Sequence, residues 1–553
     1  MSLFDKILAA RGISIDTVTE FLLPNYLKNN DPFLLPDMDK AVKRLILAKA
    51  NQQPVVIYGD YDIDGLTASA LLLESLRLFG IKDISVFIPS RFIEGYGLSI
   101  SAIERIASSG AKLIITVDCG SQSKKEIIVA NKLGIDVIVT DHHSVAVKQP
   151  PAVAVINPKR ADSSYPFCDL SGVGVAFKLI QALQIKINGN PETSSGLPFG
   201  QEKWLLDLVA LGTVCDVVSL TDENRINVYW GLKVLAKTRR IGLGALMAVS
   251  GIDPAKLNAR LLGFGLGPRI NASGRLETAS HALELLTTES KTEAFEKAQY
   301  LDELNSKRQV DQAQIIKEAI VQAEKYCADP VLVVSGAGWS HGIVGIVASK
   351  LLEKYKKPCF VLQEMGDEAK GSARSYGDFS LVEAIDSCRD LIINGGGHNM
   401  AAGITLPTKN ISLFRQRINK FYNSLALVGQ PELLLPKADA VVDLSEINED
   451  QANLIDQLEP FGNGNPRPVL KTTDLEVVGI RKMGTDGQHI KLQLKDKKGH
   501  KMSFLAFNAP ETYYVNTGDY VSVWYHLDIN EWQGNRSVEG RLLHIKVEKT
   551  SCK

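Results

Sequence analysis

Asp141, His142 and His143 close an apolar run, and an aspartate cluster, Asp60, Asp62 and Asp64, lies upstream between Gly59 and Gly65. Burying several carboxylates side by side is costly unless cations neutralise them, and a neighbouring imidazole adds a nitrogen ligand suited to transition metals. These residue types at this spacing point to metal chemistry. Each acidic group follows a strand-like run: Val55, Val56, Ile57 and Tyr58 before the cluster; Leu113, Ile114, Ile115, Thr116 and Val117 before Asp118; Ile135, Val137, Ile138 and Val139 before the Asp-His-His. Continuous apolar runs separated by helical segments read as buried strands of a parallel sheet, and in such sheets ligands bind beyond the carboxyl ends of the strands. The three groups are therefore expected to converge on one cleft.

A fourth acidic element runs from Trp204 through Asp207 to Asp216. Apolar residues surround both aspartates, so each needs a partner. Asp216 is the candidate ligand and Asp207 the candidate hydrogen-bonded helix-edge residue, though spacing alone leaves either role open.

The elements that position these groups divide the chain into several parts, since 553 residues exceed what one core supports. Residues 1–240 are expected to form a doubly wound α/β domain. In it Leu66 to Phe79, free of Gly and Pro, is a helix ended by Gly80. Lys186 to Gly200 reads as a surface loop. Residues 241–328 connect, with Ser290 and Glu293 fitting a capping box that opens a long, charged, solvent-bridging helix to about Tyr326. A second α/β domain, 329–430, begins with Val331 to Val334 and carries turns at Ser340, His341, Gly342 and at Gly371 to Ser375, then the triple glycine Gly395 to Gly397. Glycines there either make a tight turn or let backbone amides approach a phosphate chain, with His398 beside them as a donor. From 436 to 553 five short alternating runs predict an OB-fold β-barrel. Phe504, Phe507, Trp524, Tyr525 and Trp532 offer stacking surfaces, several of which must be core.

Lys plus Arg total 62 against 63 Asp plus Glu, so the whole chain is not a basic nucleic-acid binder, and any such affinity must reside in a local groove. Residues 471–553 hold 13 basic and 10 acidic side chains. Seven cysteines without a Cys-x-x-Cys pair read as reduced cytoplasmic thiols, and neither a signal peptide nor a transmembrane run is expected.

The ordered set Asp-Tyr-Asp-x-Asp-Gly, Val-Asp-Cys-Gly, Asp-His-His and Leu-Gly-Thr-x-x-Asp resembles the DHH phosphoesterases. Further segments, Ile88–Gly97, Gly267–Arg275, Ser340–Gly345 and Gly395–His398, extend the likeness over nearly the whole chain, to the bacterial exonucleases specific for single-stranded DNA. The resemblance implies two α/β domains, the second a DHH-associated domain, joined by the long helix and followed by the OB-fold. It implies two Mn2+ or Mg2+ ions, with Asp118 bridging, Asp62 on the first, and Asp64, His142 and Asp216 on the second. Asp60 is a further ligand or supports one, because Tyr58 stands where small-molecule members place a histidine. Asp141 would orient an imidazole, and His143 would face the scissile phosphate. Arg91, Ser372 and Arg374, with Arg269 or Arg275, are implied for a 5′-phosphate pocket, and Tyr96, Asn271, Gly396, Gly397 and His398 for further substrate contact. The implied activity is 5′ to 3′ release of 5′ mononucleotides from single-stranded DNA in repair and recombination, by a monomer working beside the single-stranded DNA-binding protein and a RecQ-type helicase, away from membranes. Two rival readings are an oligoribonuclease or cyclic-dinucleotide phosphodiesterase of the same superfamily, and an inactive DNA-binding scaffold.

Overall fold

In the computed structural model the described residues are 2–91, 93–188, 200–425, 435–484, 487–510, 513–532 and 534–549. Phe92, most of the expected surface loop at 186–200 and the side chain of Trp532 fall outside them.

The apolar runs become β1 (Val55–Tyr58), β3 (Leu113–Val117) and β4 (Asp136–Thr140), flanked by β2 (Ile84–Phe87) and β5 (Ala154–Ile156). All pair in parallel, in the order β2-β1-β3-β4-β5. Alternate residues of one strand serve different cores. Val55 and Ile57 pack with the helices Ile63–Phe79 and Gly172–Asn188, while Val56 and Tyr58 pack with Ile103, Ile106 and Ile127 on the other face. A strand covered on both sides has no polar face to show, which is why these segments are apolar throughout.

The helix Ile63–Phe79 starts on the cap of Asp62 and ends at Gly80, whose φ of +105° lies in the left-handed region. A short π-turn, Leu262–Leu266, leads into the helix Gly267–Leu276, and then comes the helix Lys291–Lys325. Ser290 caps this last one through the amide of Glu293, but the Glu293 carboxylate takes the Thr288 hydroxyl, so only half of the expected capping box forms. At 35 residues the helix spans about 50 Å. Ala294, Ala298, Leu301 and Leu304 belong to the first domain's core, and Ile315, Ala319 and Ala323 to the second's. Shared burial makes it a rigid beam between the domains.

The second sheet is mixed, in the order β6-β7-β8-β10-β9. Its strands are β6 (Leu332–Ala337), β7 (Cys359–Met365), β8 (Glu368–Arg374), β9 (Asn394–Gly397) and β10 (Ala401–Pro407). Only β6 and β7 run parallel. After it, β11 (Ala440–Val441) leads to β12 (Leu470–Met483), β13 (His489–Lys495), β14 (Lys501–Ala506), β15 (Tyr520–Trp532) and β16 (Asn535–Lys549), and β12 pairs with β15 to close a five-strand barrel. The amino-terminal helix Leu3–Ala10 joins this barrel, not the neighbouring sheet: Leu3, Phe4 and Ile7 lie in the barrel core, and Arg11 donates to Asp439, Asn465 and the Pro466 carbonyl. No described helix is long and apolar enough to cross a membrane.

Candidate active site

Strand ends and helix starts build the cleft. After β1 the chain turns so that Asp62 caps the helix Ile63–Phe79, its Oδ1 accepting from the amides of Asp64 (3.0 Å) and Gly65 (3.2 Å). The Asn271 side chain accepts from the Ile63 amide at 2.9 Å, so the helix start is held from a second element. Asp64 is fully buried, and its two oxygens accept from the amides of Gly172 (2.6 Å) and Val173 (2.9 Å), the first turn of another helix. Asp118 follows β3 with φ +61°, a conformation that aspartate tolerates better than most residues.

Three ligand-like sets result. Asp60, Asp62 and Asp118 form one; Asp64, His142 and Asp216 form another; Asp118, His142 and His143 form a third, and within each set one atom per residue lies within 4.8 Å of the others. Asp118 is shared by the first and third sets, and His142 by the second and third. His142 Nε2 lies 3.1 Å from Asp118 Oδ1, 3.5 Å from Asp216 Oδ2 and 3.9 Å from Asp64 Oδ2. None of these approaches is a hydrogen bond: Asp60 Oδ1, Asp118 Oδ1, Asp216 Oδ2 and both ring nitrogens of His142 are buried without a hydrogen-bond partner. Four of these atoms, the three carboxylate oxygens and His142 Nε2, line the cluster, and leaving them orphaned would cost several kcal/mol together. A divalent cation converts each of them into a ligand.

The charges lead to the same conclusion. Burial, then the charge of Asp62, pushes Asp64 up to about 7, and burial with Asp64 and Asp62 pushes Asp216 up to about 9. Burial, then Asp62, raises Asp60 well above the usual carboxylate range, and burial with Asp64 and Asp62 does the same to Asp118. Burial and the neighbouring His143 hold the His142 imidazole down at about 3, so it is neutral and able to coordinate. These residues fit a pair of hard-to-borderline divalent ions, whose charge would keep the carboxylates ionised at neutral pH.

Asp141 has a different environment. Its oxygens accept from the amides of Ser121, His142 and His143, and Oδ1 lies 2.9 Å from His143 Nδ1. Burial alone would raise its pKa, but the hydrogen bond and charge of His143 and these amides hold it at about 2. The Tyr96 hydroxyl also reaches His143 Nδ1, at 3.0 Å, so the half-exposed His143 ring is fixed from two sides. Asp207 lies away from the cluster: it accepts from Thr238 and pairs with Arg240.

Two supports carry no signal readable from residue type. Asn157 donates to Ser121 and to the His143 carbonyl. Gly172 presses on Asp118: a Cβ there would lie 2.7 Å from Asp118 Oδ1. Gly172→Ala is therefore expected to displace the central carboxylate and lower turnover by about 10- to 100-fold, the scale of losing support for a metal ligand. Melting temperature in the absence of divalent ions should fall little, while the stabilisation added by Mn2+ should shrink. Wild-type turnover in Gly172→Ala would show that Asp118 has more freedom than this packing allows.

The arginines sort by partner. Arg91 stacks over the Tyr61 ring at 4.2 Å with its Nε buried and unpaired. Arg275 donates to the Gly342 carbonyl, at the start of the second-domain helix His341–Tyr355, and Arg374 donates to the Ala373 carbonyl. Ser372 and Arg374 share one face of β8 and flank Gly345 of that helix. Arg269 instead pairs with Asp302 of the long helix, a placement that ties it to the connector. Gly396 and Gly397 lie on the edge strand β9, and His398 follows, exposed, its amide donating to the Ala401 carbonyl. Beside Cys215 and the cluster opens a 530 Å³ cleft lined by Phe264, Asn271, Arg275, Arg308 and Ile346, with Phe264 82% exposed.

A parallel sheet whose strand ends gather four aspartates and a histidine around one shared carboxylate, facing a second α/β domain across a cleft, defines a phosphoesterase of the DHH class. Three family models match in register: the DHH family amino-terminal domain over residues 54–213, the DHHA1 domain over 328–424 and the RecJ OB domain over 438–544. The single-stranded-DNA-specific exonuclease RecJ of Salmonella typhimurium is 36% identical over 527 residues, covering 91% of this chain and 89% of that protein. RecJ of Bacillus subtilis is 38% identical over 92% of this chain, which spans 63% of that relative's length. The crystal structure of RecJ in complex with Mn2+ from Thermus thermophilus superposes with a TM-score of 0.81 at 27% identity, over 98% of this chain and 75% of that one; the complex with Mg2+ gives 0.76. The chain belongs to the RecJ family of single-stranded-DNA-specific exonucleases.

Proposed function

We propose that this chain hydrolyses single-stranded DNA from the 5′ end, releasing 5′ mononucleotides, with Mn2+ or Mg2+ in two sites. The single observation that carries this is the meeting of two of the ligand sets at Asp118, whose Oδ1 is buried and unpaired 3.1 Å from His142 Nε2. Asp60, Asp62 and Asp118 would hold one ion, and Asp64, His142, Asp216 and Asp118 the other. When bound, the pair supplies a nucleophilic water at neutral pH and neutralises charge on the phosphoryl oxygens. Asp141 and Tyr96 hold the His143 ring by Nδ1, and the Asp141 carboxylate favours the imidazolium, whose Nε2–H would donate to a phosphoryl oxygen. The low pKa of Asp141 keeps it an acceptor throughout.

Polarity requires recognition of a strand end. Arg91, Arg275, Ser372 and Arg374 line the junction between the two α/β domains, and charge-assisted contacts from guanidinium groups would fix a terminal phosphate there. The cleft beside Cys215, walled by helices of both domains, would admit one strand. Work beside a RecQ-type helicase and the single-stranded DNA-binding protein belongs to the same reading. A dinucleotide phosphodiesterase needs no strand-holding barrel, and an inactive scaffold needs no complete ligand set.

The barrel's aromatics divide clearly. Phe504 and Tyr525 are fully buried, whereas Phe507 is 55% exposed, with the Arg541 guanidinium 5.8 Å from its ring, on a 550 Å³ cleft shared with Arg260 of the connecting region. Stacking of one base is worth about 1 to 3 kcal/mol. Phe507→Ala should therefore weaken binding of a long single strand by roughly 5- to 150-fold while sparing cleavage of very short oligonucleotides. Fluorescence anisotropy with long and short strands checks this, and equal affinity for the long strand would remove Phe507 from the binding path. A point substitution is a cleaner test than deleting the barrel, because deletion would uncover Leu3, Phe4 and Ile7.

A turnover assay comparing single-stranded DNA with short oligoribonucleotides in Mn2+ tests the reading. Preference for the DNA supports it, and preference for the oligoribonucleotides would favour the rival phosphodiesterase.

A further inference from the structure

We propose that Asn463, in the segment leading into the barrel, is a positioning residue for the metal cluster, acting through Val217. The inference rests on the reading of Asp216 as a metal ligand. Asp216 ends the helix Leu206–Cys215, and the next residue, Val217, has φ +62°. A β-branched residue there is a genuine outlier that persists only when its surroundings hold it. What faces Val217 and the residues after it is the segment Gly462–Asn465. The Asn463 side chain donates to the Val217 carbonyl at 3.0 Å, and the Asn463 carbonyl accepts from the Leu220 amide at 2.7 Å. Gly464 lies so close to this turn that a Cβ would come within 2.2 Å of Ser219 Oγ.

The segment is itself pinned. Gly462 and Asn465 exchange backbone hydrogen bonds, and the buried Asn465 side chain donates to the Leu458 and Pro460 carbonyls. Arg225, 3% exposed, donates to the carbonyls of Phe21, Leu458 and Glu459 from the helix that follows the Asp216 turn. The barrel's entry segment and the Asp216 turn are therefore joined by several hydrogen bonds, and Asn463 contributes the side-chain contact to the residue that follows the ligand. Loss of that contact would let Val217 leave the left-handed region and carry the Asp216 carboxylate with it.

The experiment measures Mn2+ binding to the full-length protein without DNA, by the electron paramagnetic resonance signal of free Mn2+, and kcat and KM on a single-stranded oligonucleotide. Asn463→Ala and Asn463→Asp are expected to lose affinity for one ion by about two- to tenfold, the scale of one neutral hydrogen bond, and to lose kcat with KM unchanged. Val217→Asn, which tolerates the left-handed region, should restore most of the affinity in the Asn463→Ala background. Unchanged Mn2+ binding in both Asn463 variants, a change in KM alone, or no recovery with Val217→Asn would each overturn the proposal. Asp216→Asn separates the two levels. If it reduces Mn2+ binding while the Asn463 variants do not, only the positioning role fails; if it leaves binding intact, the ligand reading fails and the positioning role with it.

Discussion

Asp118→Asn protein is expected to fold, to survive heating in chelator as well as the unsubstituted chain, and to lose turnover by more than the roughly 10- to 100-fold that loss of a ligand's supporting residue costs. Asparagine matches aspartate in volume and accepts the φ of +61° found there, so the backbone need not move. It removes the carboxylate shared by two of the three ligand sets, the one that would bridge both ions in the proposed centre. Without cations burial, joined by the charges of Asp64 and Asp62, already disfavours the ionised form of Asp118, so a neutral amide sacrifices nothing there and metal-free stability should stay level or rise. The stabilisation conferred by Mn2+, which grows with the logarithm of ligand concentration over its dissociation constant, should shrink sharply. Purified Asp118→Asn protein that cleaves near the wild-type rate in Mn2+ would remove Asp118 from the centre.

Arg374→Ala is expected to lose most of the preference for 5′-phosphorylated over 5′-hydroxyl strands while keeping its metals. Arg374 is half-buried, donates to a backbone carbonyl and shares its face of β8 with Ser372, and burial lowers its pKa without removing its charge at any working pH. A charge-assisted contact is worth about 1.5 to 3 kcal/mol, roughly 10- to 100-fold in kcat/KM for the phosphorylated strand. Paired cleavage rates on the two substrates give the ratio directly. If it is unchanged in Arg374→Ala and in Arg91→Ala, end recognition lies elsewhere.

Much of the first domain was legible because strands buried on both faces are apolar without interruption, so the acid following each one marked a strand end. The OB-fold was legible from alternation. Other features depend on packing that local sequence does not encode. Asp207 and Asp216 stand at opposite ends of one wholly apolar helix, and only the direction in which that helix crosses the sheet decides that Asp216 meets His142 while Asp207 meets Arg240. Arg269 and Arg275 lie on one helix six residues apart, about 240° around its axis, so they face different neighbours, Asp302 for one and Gly342 for the other. The helix Leu3–Ala10 is amphipathic, but its pattern says only that it packs, and its partner core lies more than 400 residues away in sequence. Gly172, Asn157 and Asn463 act through backbone approach and single hydrogen bonds, which leave no mark in residue type.

The proposed exonuclease reads a 5′ end and cuts with two ions. Its most direct test follows the first products from one single strand carrying distinguishable labels at its 5′ and 3′ ends, in Mn2+ and in chelator, beside the same sequence as a blunt duplex. The prediction is early appearance of the 5′ label as a mononucleotide, retention of the 3′ label in long fragments, no cleavage in chelator and little on the duplex. Early release of the 3′ label, or cleavage that persists in chelator, would contradict it.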